Sequence, residues 1–187
     1  MHIIRDSLLI GARKAKGISV IIDVFRASTT AGFILNKNAM EIIPVERVHE
    51  AFVYRSQYPE ALLVGERNGL KLDGFDYGNS PTEINEVDFK GKRVVFTTSA
   101  GTKGIMNAEY SDEVLFGSFV NAEAVVRYIK KKCPNHVTLV AMGIGGEKKC
   151  DEDELCAEYL KQLLENQTFN FRFFSRLVVG KSLYDLQ

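Results

Sequence analysis

The stretch ISVIIDVFRASTT, residues 18–30, joins five mainly apolar residues to a dense group of polar side chains. A short apolar run bounded in this way is typical of a strand that is buried on both faces. Asp23 closes the run, Arg26 follows three residues later, and three hydroxyl residues occupy Ser28–Thr30. Hydroxyl residues also cap helices, so the stretch predicts a strand and a helix and leaves open whether its polar group forms a site.

Similar apolar runs recur along the chain and predict further strands. They are Met40–Val45, Ala61–Gly65, Arg93–Thr98, Glu113–Phe119 and Val137–Met142. Helical patterns separate them, at Ser28–Leu35, Val48–Tyr58, Ala122–Cys133 and Leu155–Leu164. Asn121 is the predicted N-cap of the third of these helices. Strands that alternate with helices predict an α/β fold, with a single domain over residues 1–187 and room for two sub-lobes that meet at the irregular excursion 65–90.

Composition favours a cytoplasmic protein that acts on a small molecule. The 187 residues carry 24 basic and 24 acidic side chains, a balance that argues against binding to nucleic acid or to an anionic membrane. No apolar run approaches the roughly 20 residues that span a bilayer. The three cysteines form no C-x-x-C pair, which favours free thiols in a reducing compartment.

Polar residues follow most of the predicted strands. Ligands of open α/β sheets bind beyond the carboxyl ends of the strands, so these segments are expected to meet at one rim. They are GERNGLKLDGFDYGNSP (65–81), TTSAGT (97–102), GSFVNAE (117–123) and GIGGEKKCDEDELC (143–156). Their carboxylates, hydroxyls, glycines and arginines suit a phosphate or another small anion together with a divalent cation.

Individual residue types support that chemistry, although each has a plainer explanation. Arg26 and Arg67 could grip acidic oxygens in bidentate fashion. Asp23 and Glu66 offer the hard oxygen atoms that Mg²⁺ accepts, and Asp153 offers another. Asp153, however, lies in the first turn of a predicted helix, where an acidic residue also favours the helix dipole.

Five motifs, taken in order, resemble the 2-phosphosulfolactate phosphatase family. They are VIIDVFRASTT (20–30), GERNGLKLDGFDYGNSP (65–81), TTSAGT (97–102), GSFVNAEAV (117–125) and DEDELCA (151–157). The resemblance implies a three-layer α/β/α fold with a mixed, mostly parallel sheet of about six strands. It also implies Mg²⁺-dependent hydrolysis of 2-phospho-3-sulfolactate to 3-sulfolactate and phosphate, a step of coenzyme M biosynthesis. A phosphatase of another small phospho-acid and a non-catalytic anion-binding module are the alternatives.

The resemblance also implies roles for particular residues. Asp23 and Glu66 are expected to be metal ligands or acid–base groups, Asp153 a further metal ligand, and Arg26 a clamp for anionic groups. Ser28 is the alternative nucleophile to a metal-activated water. The other expected substrate contacts are Thr29, Arg67, Asn68, Asn79, Ser80, Ser99, Gly101, Thr102 and Asn121.

The end of the chain differs from the family. After Ala157 the sequence keeps only fragments of the family pattern, and it contains an aromatic-rich stretch at Phe169–Phe174. Apolar side chains of this kind sit poorly in water unless they are packed. Together with the resemblance, the stretch leads us to expect a homodimer that binds a small anionic phospho-acid.

Overall fold

The computed structural model describes residues 1–167, which contain eight strands and six α-helices. The strands are β1 (His2–Ser7), β2 (Gly17–Ile22), β3 (Glu41–Pro44), β4 (Leu62–Arg67), β5 (Leu70–Lys71), β6 (Arg93–Thr97), β7 (Ser111–Gly117) and β8 (His136–Ala141). The helices are α1 (Leu8–Lys14), α2 (Ala27–Asn36), α3 (Val48–Gln57), α4 (Gly101–Asn107), α5 (Ala122–Lys132) and α6 (Asp151–Leu164). A short 3-10 helix, Phe119–Asn121, precedes α5.

The strands form two four-stranded sheets. The first sheet has the order β1-β8-β2-β7, and all of its pairs are parallel. The second has the order β3-β6-β4-β5, in which only the β4–β5 pair is antiparallel. The α/β class and its mostly parallel strands are confirmed, and all six predicted strands are present. They are divided between two sheets because β7 and β3 are edge strands that do not pair with each other.

Helices cover both faces of the first sheet, which gives the three layers. On one face, α5 and α6 bury Ile129, Cys156 and Leu160 against β2 and β8. On the other face, Ala12 of α1 and Ala108, the C-cap of α4, pack against the same strands. The strands are therefore apolar on both faces, as the continuous runs in the sequence predict.

The second sheet is covered by α2 on one face and by α3 on the other. The excursion 65–90 begins as the β4–β5 hairpin, and its later part inserts Ile84 and Phe89 into the core beneath α2. An aromatic contact joins the two sheets, since the rings of Phe96 in β6 and Phe116 in β7 lie 6.3 Å apart. The excursion is thus part of the core, despite its turn-rich sequence.

Some elements differ from the sequence expectations. β1 was not predicted, because charged residues interrupt its apolar pattern. Its Arg5 forms ion pairs with Glu154 and Glu158 of α6. Asn121 occupies the N-cap position of α5, but its side chain does not cap the helix. Its Oδ1 accepts a hydrogen bond from Ser118 N–H, and its Nδ2 donates to the Phe116 carbonyl. The aromatic stretch 169–174 lies outside the described residues. Within residues 1–167, every helix is too short or too polar to cross a membrane.

The contact between the sheets gives a stability prediction. Phe96 is fully buried, so Phe96→Ala leaves a cavity and should lower the free energy of unfolding by about 3–5 kcal/mol. Tyr110→Ala, at a site that is 71% exposed, is the matched control and should change it by less than about 0.5 kcal/mol. Equilibrium denaturation with urea measures both, and equal effects of the two changes would contradict the assignment.

Candidate active site

A cavity of about 210 Å³ opens where the carboxyl ends of β2 and β8 meet those of β4 and β6. Both sheets therefore contribute to its wall, which is the position that the strand-end rule predicts. The residues that line it are Asp23, Phe25, Arg26, Glu66, Asn68, Gly69, Asn79, Ser99, Ala100, Gly143, Ile144, Gly145, Cys150, Glu152 and Asp153.

Asp23 lies at the floor of this cavity, directly after β2, and is 7% exposed. Its Oδ1 accepts a hydrogen bond from Ala27 N–H at 3.2 Å, and the N–H of Gly101 also donates to the carboxylate. These donors stand at the first turns of α2 and α4, where backbone N–H groups have no partner within the helix. Asp23 thus accepts hydrogen bonds from unpaired N–H groups at the starts of two helices and still faces the cavity.

Asp153, in the first turn of α6, is 2% exposed and also lines the cavity. Its Oδ1 accepts from Val24 N–H at 2.7 Å, and its Oδ2 accepts from Gly143 N–H at 2.8 Å. The carboxylate therefore fastens α6 to the loops that follow β2 and β8. This role goes beyond a favourable interaction with the helix dipole.

Burial raises the pKa of both carboxyl groups. Burial, and then repulsion from Asp153, raise the pKa of Asp23 to about 7. Burial raises the pKa of Asp153 to about 6, although the N–H groups of Val24 and Gly143 oppose that effect. A cation or a proton between the two groups relieves the cost of this arrangement.

Two glycines make the arrangement sterically feasible. A Cβ at Gly101 would lie 2.6 Å from Ala27 Cβ and 3.0 Å from Asp23 Oδ2, so a side chain there would push α4 away from Asp23. Gly143 has φ +63°, and a Cβ at this residue would lie 2.2 Å from the carbonyl oxygen of Lys148. Both positions thus need the absence of a side chain.

On the side of the second sheet, Glu66 is 6% exposed and accepts three hydrogen bonds. Its Oε1 binds Ser99 N–H at 2.7 Å, while Oε2 binds Gly69 N–H at 2.7 Å and Ser99 Oγ at 3.0 Å. Asn68 N–H donates to Ser99 Oγ at 3.1 Å. The β4–β5 turn and the β6–α4 loop are joined through this one carboxylate.

Arg26 and Asn79 are cavity residues that have polar groups without a partner within residues 1–167. Arg26 is half-buried at the N-cap position of α2, and its guanidinium has no hydrogen bond or ion pair within residues 1–167. Asn79 is 5% exposed, and its Oδ1 has no hydrogen-bond partner among the described residues. An unpaired buried amide oxygen is costly, so a ligand contact is a physical reason for its place in the wall.

Several residues predicted for the site do not line the cavity. Ser28 is fully buried, and its hydroxyl is bonded to Asp23 N–H at 3.1 Å and to the Ile21 carbonyl at 3.1 Å. Thr29 Oγ1 donates to the carbonyl of Val24, and Thr102 is bonded to the backbone of Thr98. These hydroxyls stabilise the loops beneath the cavity.

Arg67, which the sequence predicts as a substrate clamp, does not line the cavity. Its guanidinium donates to the carbonyl oxygens of Glu46 and Glu66 and to Thr97 Oγ1, at 2.7–2.8 Å. Burial lowers its pKa, against the raising effects of Glu66 and Glu46. Two further predicted contacts, Ser80 and Asn121, also lie outside the cavity wall, and Gly101 acts through its N–H to Asp23.

The structure adds wall residues that the sequence reading did not single out. Gly143, Ile144 and Gly145 form one side, and Cys150 and Glu152 extend it towards α6. Burial strongly raises the pKa of the Cys150 thiol, so it lines the wall as a neutral group. The sequence feature that indicates these wall residues is the loop GIGGEKKC (143–150), whose glycines permit positive φ next to a strand end.

The residues present fit a divalent cation held by few protein ligands. The described residues contain no group of three or more His, Cys, Asp or Glu arranged as a metal cluster. Asp23 and Asp153 nevertheless offer hard oxygen donors to the same cavity, and after burial, repulsion from Asp153 contributes to the raised pKa of Asp23. Mg²⁺ commonly uses one or two carboxylates and keeps several waters, so this pair suits it better than Glu66, which already accepts three hydrogen bonds.

Fold and site together define a layered α/β protein with an acidic cavity at its strand ends, suited to a small anion accompanied by a cation. Its sequence matches the profile of the 2-phosphosulpholactate phosphatase family over residues 6–185, and the chain belongs to that family. The resemblance drawn from the five motifs is confirmed.

Curated relatives agree with this assignment. Proteins named "Probable 2-phosphosulfolactate phosphatase" are 39% identical in Clostridium acetobutylicum, 38% in Caldicellulosiruptor saccharolyticus and 36% in Thermoplasma acidophilum. The matches cover 76%, 79% and 85% of this chain, and 60%, 63% and 70% of the respective relatives. The chain thus spans less than two thirds of the length of the first two relatives.

The buried carboxyl pair gives a prediction about stability. Because folding raises the pKa of Asp23 from an ordinary value near 4 to about 7, the native state binds more protons than the unfolded state between these pH values. In a buffer that contains a metal chelator, the free energy of unfolding should therefore fall as pH rises from about 4 to about 7. In Asp23→Asn this loss should be smaller by roughly 2–4 kcal/mol.

The matched control is Asp73→Asn, a change at an exposed aspartate that does not line the cavity. It should leave the pH dependence of the wild-type protein unchanged. Urea denaturation at several pH values compares the slopes rather than the absolute stabilities. The same slope in Asp23→Asn as in wild type would show that Asp23 is not the titrating group.

Proposed function

We propose that the protein is a Mg²⁺-dependent phosphatase that hydrolyses the phosphate ester of a 2-hydroxy acid. Its preferred substrate in this proposal is 2-phospho-3-sulfolactate, and the products are 3-sulfolactate and phosphate. Family membership and the names of the relatives support the reaction class. Hydrolysis of another small phospho-acid is an outcome that the experiments below can detect.

The charge of the cavity carries the proposal. Four carboxylate residues line it, Asp23, Glu66, Glu152 and Asp153, whereas Arg26 is the one arginine or lysine among its described lining residues. A substrate with phosphate, carboxylate and sulfonate groups would be repelled from such a wall. An anion therefore fits only together with a divalent cation, and the same cation relieves the repulsion between Asp23 and Asp153.

In this proposal Asp23 and Asp153 hold Mg²⁺, with water completing the coordination. The bound metal would neutralise phosphoryl charge and lower the pKa of an attacking water. Arg26, which has no partner within the described residues, grips the phosphate oxygens through its planar fork of donors. The N-terminal turn of α2, which carries no acidic residue, also favours an anion at this end of the sheets.

The groups from the second sheet are placed to orient the rest of the substrate. Asn79 lines this wall, and its amide nitrogen can donate hydrogen bonds. We assign it to the acidic groups of the substrate, whereas the Ser99 hydroxyl lines the same wall but already donates to Glu66. The Asn68 side chain belongs to the same wall and is a further polar contact in this proposal.

Water is the nucleophile in this proposal. Its oxygen forms a bond to phosphorus while the bond from phosphorus to the C2 oxygen breaks, and the leaving oxygen gains a proton. Burial of Ser28 and the two hydrogen bonds of its hydroxyl argue against attack by that side chain. A serine nucleophile requires an exposed hydroxyl beside a base.

The biological setting belongs to the same proposal. A place in coenzyme M biosynthesis rests on the family resemblance alone. A cytoplasmic location is supported by the three free cysteines of the chain. The homodimer stays a prediction, which analytical ultracentrifugation can test.

Phosphate release from 2-phosphosulfolactate, with and without Mg²⁺, tests the proposed reaction directly. We expect release only with Mg²⁺, and we expect half-maximal rate to need less Mg²⁺ at pH 8 than at pH 6. Protons compete with the metal for Asp23 and Asp153, whose pKa values are about 7 and about 6. Equal turnover of phospholactate and phosphoglycerate would overturn the sulfonated substrate but keep the reaction class.

Two variants assign the roles within that assay. Asp23→Asn should reduce kcat by at least about 100-fold because it removes a charged ligand. Arg26→Lys should mainly raise KM, since a point charge replaces a fork of donors. Arg127→Lys, at an exposed site on α5, is the control and should leave both constants unchanged. Undiminished activity in Asp23→Asn would sink the assignment of the metal pair.

Ser28→Ala separates the two nucleophiles. With water as nucleophile, the variant should keep kcat within about tenfold of wild type, at a stability cost of roughly 1–3 kcal/mol for the lost hydrogen bonds. A nucleophilic Ser28 predicts a loss of about 10³-fold or more in kcat. Single-turnover hydrolysis in ¹⁸O-labelled water, with a search for labelled phosphoenzyme, provides the second measurement.

A further inference from the structure

Glu66 lines the cavity but is buried between two neighbouring loops. Both of its oxygens accept hydrogen bonds, two from backbone N–H groups and one from a hydroxyl. Gly69 belongs to the β4–β5 turn, whereas Ser99 lies on the neighbouring β6–α4 loop. The carboxylate therefore acts as a bridge between two segments that are 30 residues apart in the chain.

The bridge leads to Asp23. Ser99 donates its N–H to the Glu66 carboxylate, and its hydroxyl accepts a hydrogen bond from Asn68 N–H. Two residues later, Gly101 donates its N–H to the Asp23 carboxylate and packs so closely that no Cβ fits there. A short, tightly bonded segment thus transmits the position of Glu66, in the second sheet, to Asp23 in the first.

Arg67 holds the same strand end from the opposite face. Consecutive residues of a strand point to opposite faces, so Glu66 faces the cavity and Arg67 faces away from it. The Arg67 guanidinium bonds the carbonyl oxygens of Glu46 and Glu66 and also Thr97 Oγ1, at the ends of β3, β4 and β6. The backbone that carries Glu66 is therefore fixed before any ligand arrives.

We propose that Glu66 is a positioning residue, whose carboxylate fixes the Ser99–Gly101 segment and through it the orientation of Asp23. It neither binds the metal nor transfers a proton in this proposal. The inference concerns how the site is built and rests on the proposed function for its kinetic readout. What Glu66 must supply is the length and the acceptor atoms of its side chain rather than its charge.

Two substitutions separate length from charge. Glu66→Gln keeps the length, and its carbonyl oxygen can still accept from Gly69 N–H and Ser99 Oγ, two of the three bonds. Glu66→Asp keeps the charge but withdraws the carboxylate by about 1.5 Å, one C–C bond. We expect Glu66→Asp to lose roughly 100-fold in kcat and Glu66→Gln about 10-fold or less.

A metal ligand or a proton-transfer group predicts the reverse order, with the aspartate variant more active than the glutamine variant. It also predicts that Glu66→Gln needs at least about tenfold more Mg²⁺ for half-maximal rate. A positioning role should raise that Mg²⁺ concentration in Glu66→Gln by less than about tenfold, because two of the three hydrogen bonds that fix the segment beside Asp23 remain. Should Glu66→Asp fail to fold, the Mg²⁺ dependence of Glu66→Gln decides alone.

Amide hydrogen exchange supplies a readout that does not depend on catalysis. In Glu66→Asp, or in Glu66→Gln if only that variant folds, the Gly101 amide should exchange roughly tenfold faster than in wild type. Glu50→Gln is the matched control, since Glu50 also accepts a backbone N–H, from Arg47 at 2.9 Å, but lies outside the cavity. It should leave both activity and Gly101 exchange unchanged.

The two proposals fail in different ways. If wild-type protein releases no phosphate from any phospho-acid, the proposed function fails, and the exchange of Gly101 still tests the bridge. If activity is present but Gly101 exchange is unaltered in the Glu66 variants, the positioning role is overturned. A more active aspartate variant overturns it as well.

Discussion

Backbone N–H groups hold two buried carboxylates, and the rest of the site depends on these hydrogen bonds. Asp23 accepts from the starts of α2 and α4, and Asp153 accepts from the loops after β2 and β8. Three connections between strands and helices, β2–α2, β6–α4 and β8–α6, are therefore fixed by two side chains. Burial makes the pair costly without a cation or a proton, so the same feature that orders the loops also prepares the cavity for a charged ligand.

Much of the fold could be predicted because the buried strands are continuous apolar runs. Asp23 was recognisable for the same reason, since a charged residue that ends such a run has few purely structural explanations. β1 was not predicted because its charged Arg5 pairs with α6, and a contact between distant segments leaves no local sequence pattern. Asp153 was ambiguous in the sequence because a helix dipole and a cavity place an acidic residue at the same position.

The limits of the sequence prediction are geometric. Glu66 and Arg67 both looked like site residues, yet neighbours on a strand cannot face the same cavity. Ser28 and Thr102 have the residue type of a nucleophile or an anion contact, but their hydroxyls are bonded to nearby backbone. Motif order identified the family, whereas only the contacts show which side of each loop a motif residue occupies.

The cavity wall is shared between two sheets whose edge strands do not pair with each other. Asp153 in α6 and Gly143 in the loop after β8 belong to the half built on the first sheet, and Ser99 and Asn79 lie on loops of the second. A ligand that touches both groups forms a cross-link between the two halves of the molecule, in addition to the Phe96–Phe116 contact. A ligand that binds only the folded protein therefore raises the free energy of unfolding of both halves together, although it contacts only the loops at one end of the sheets.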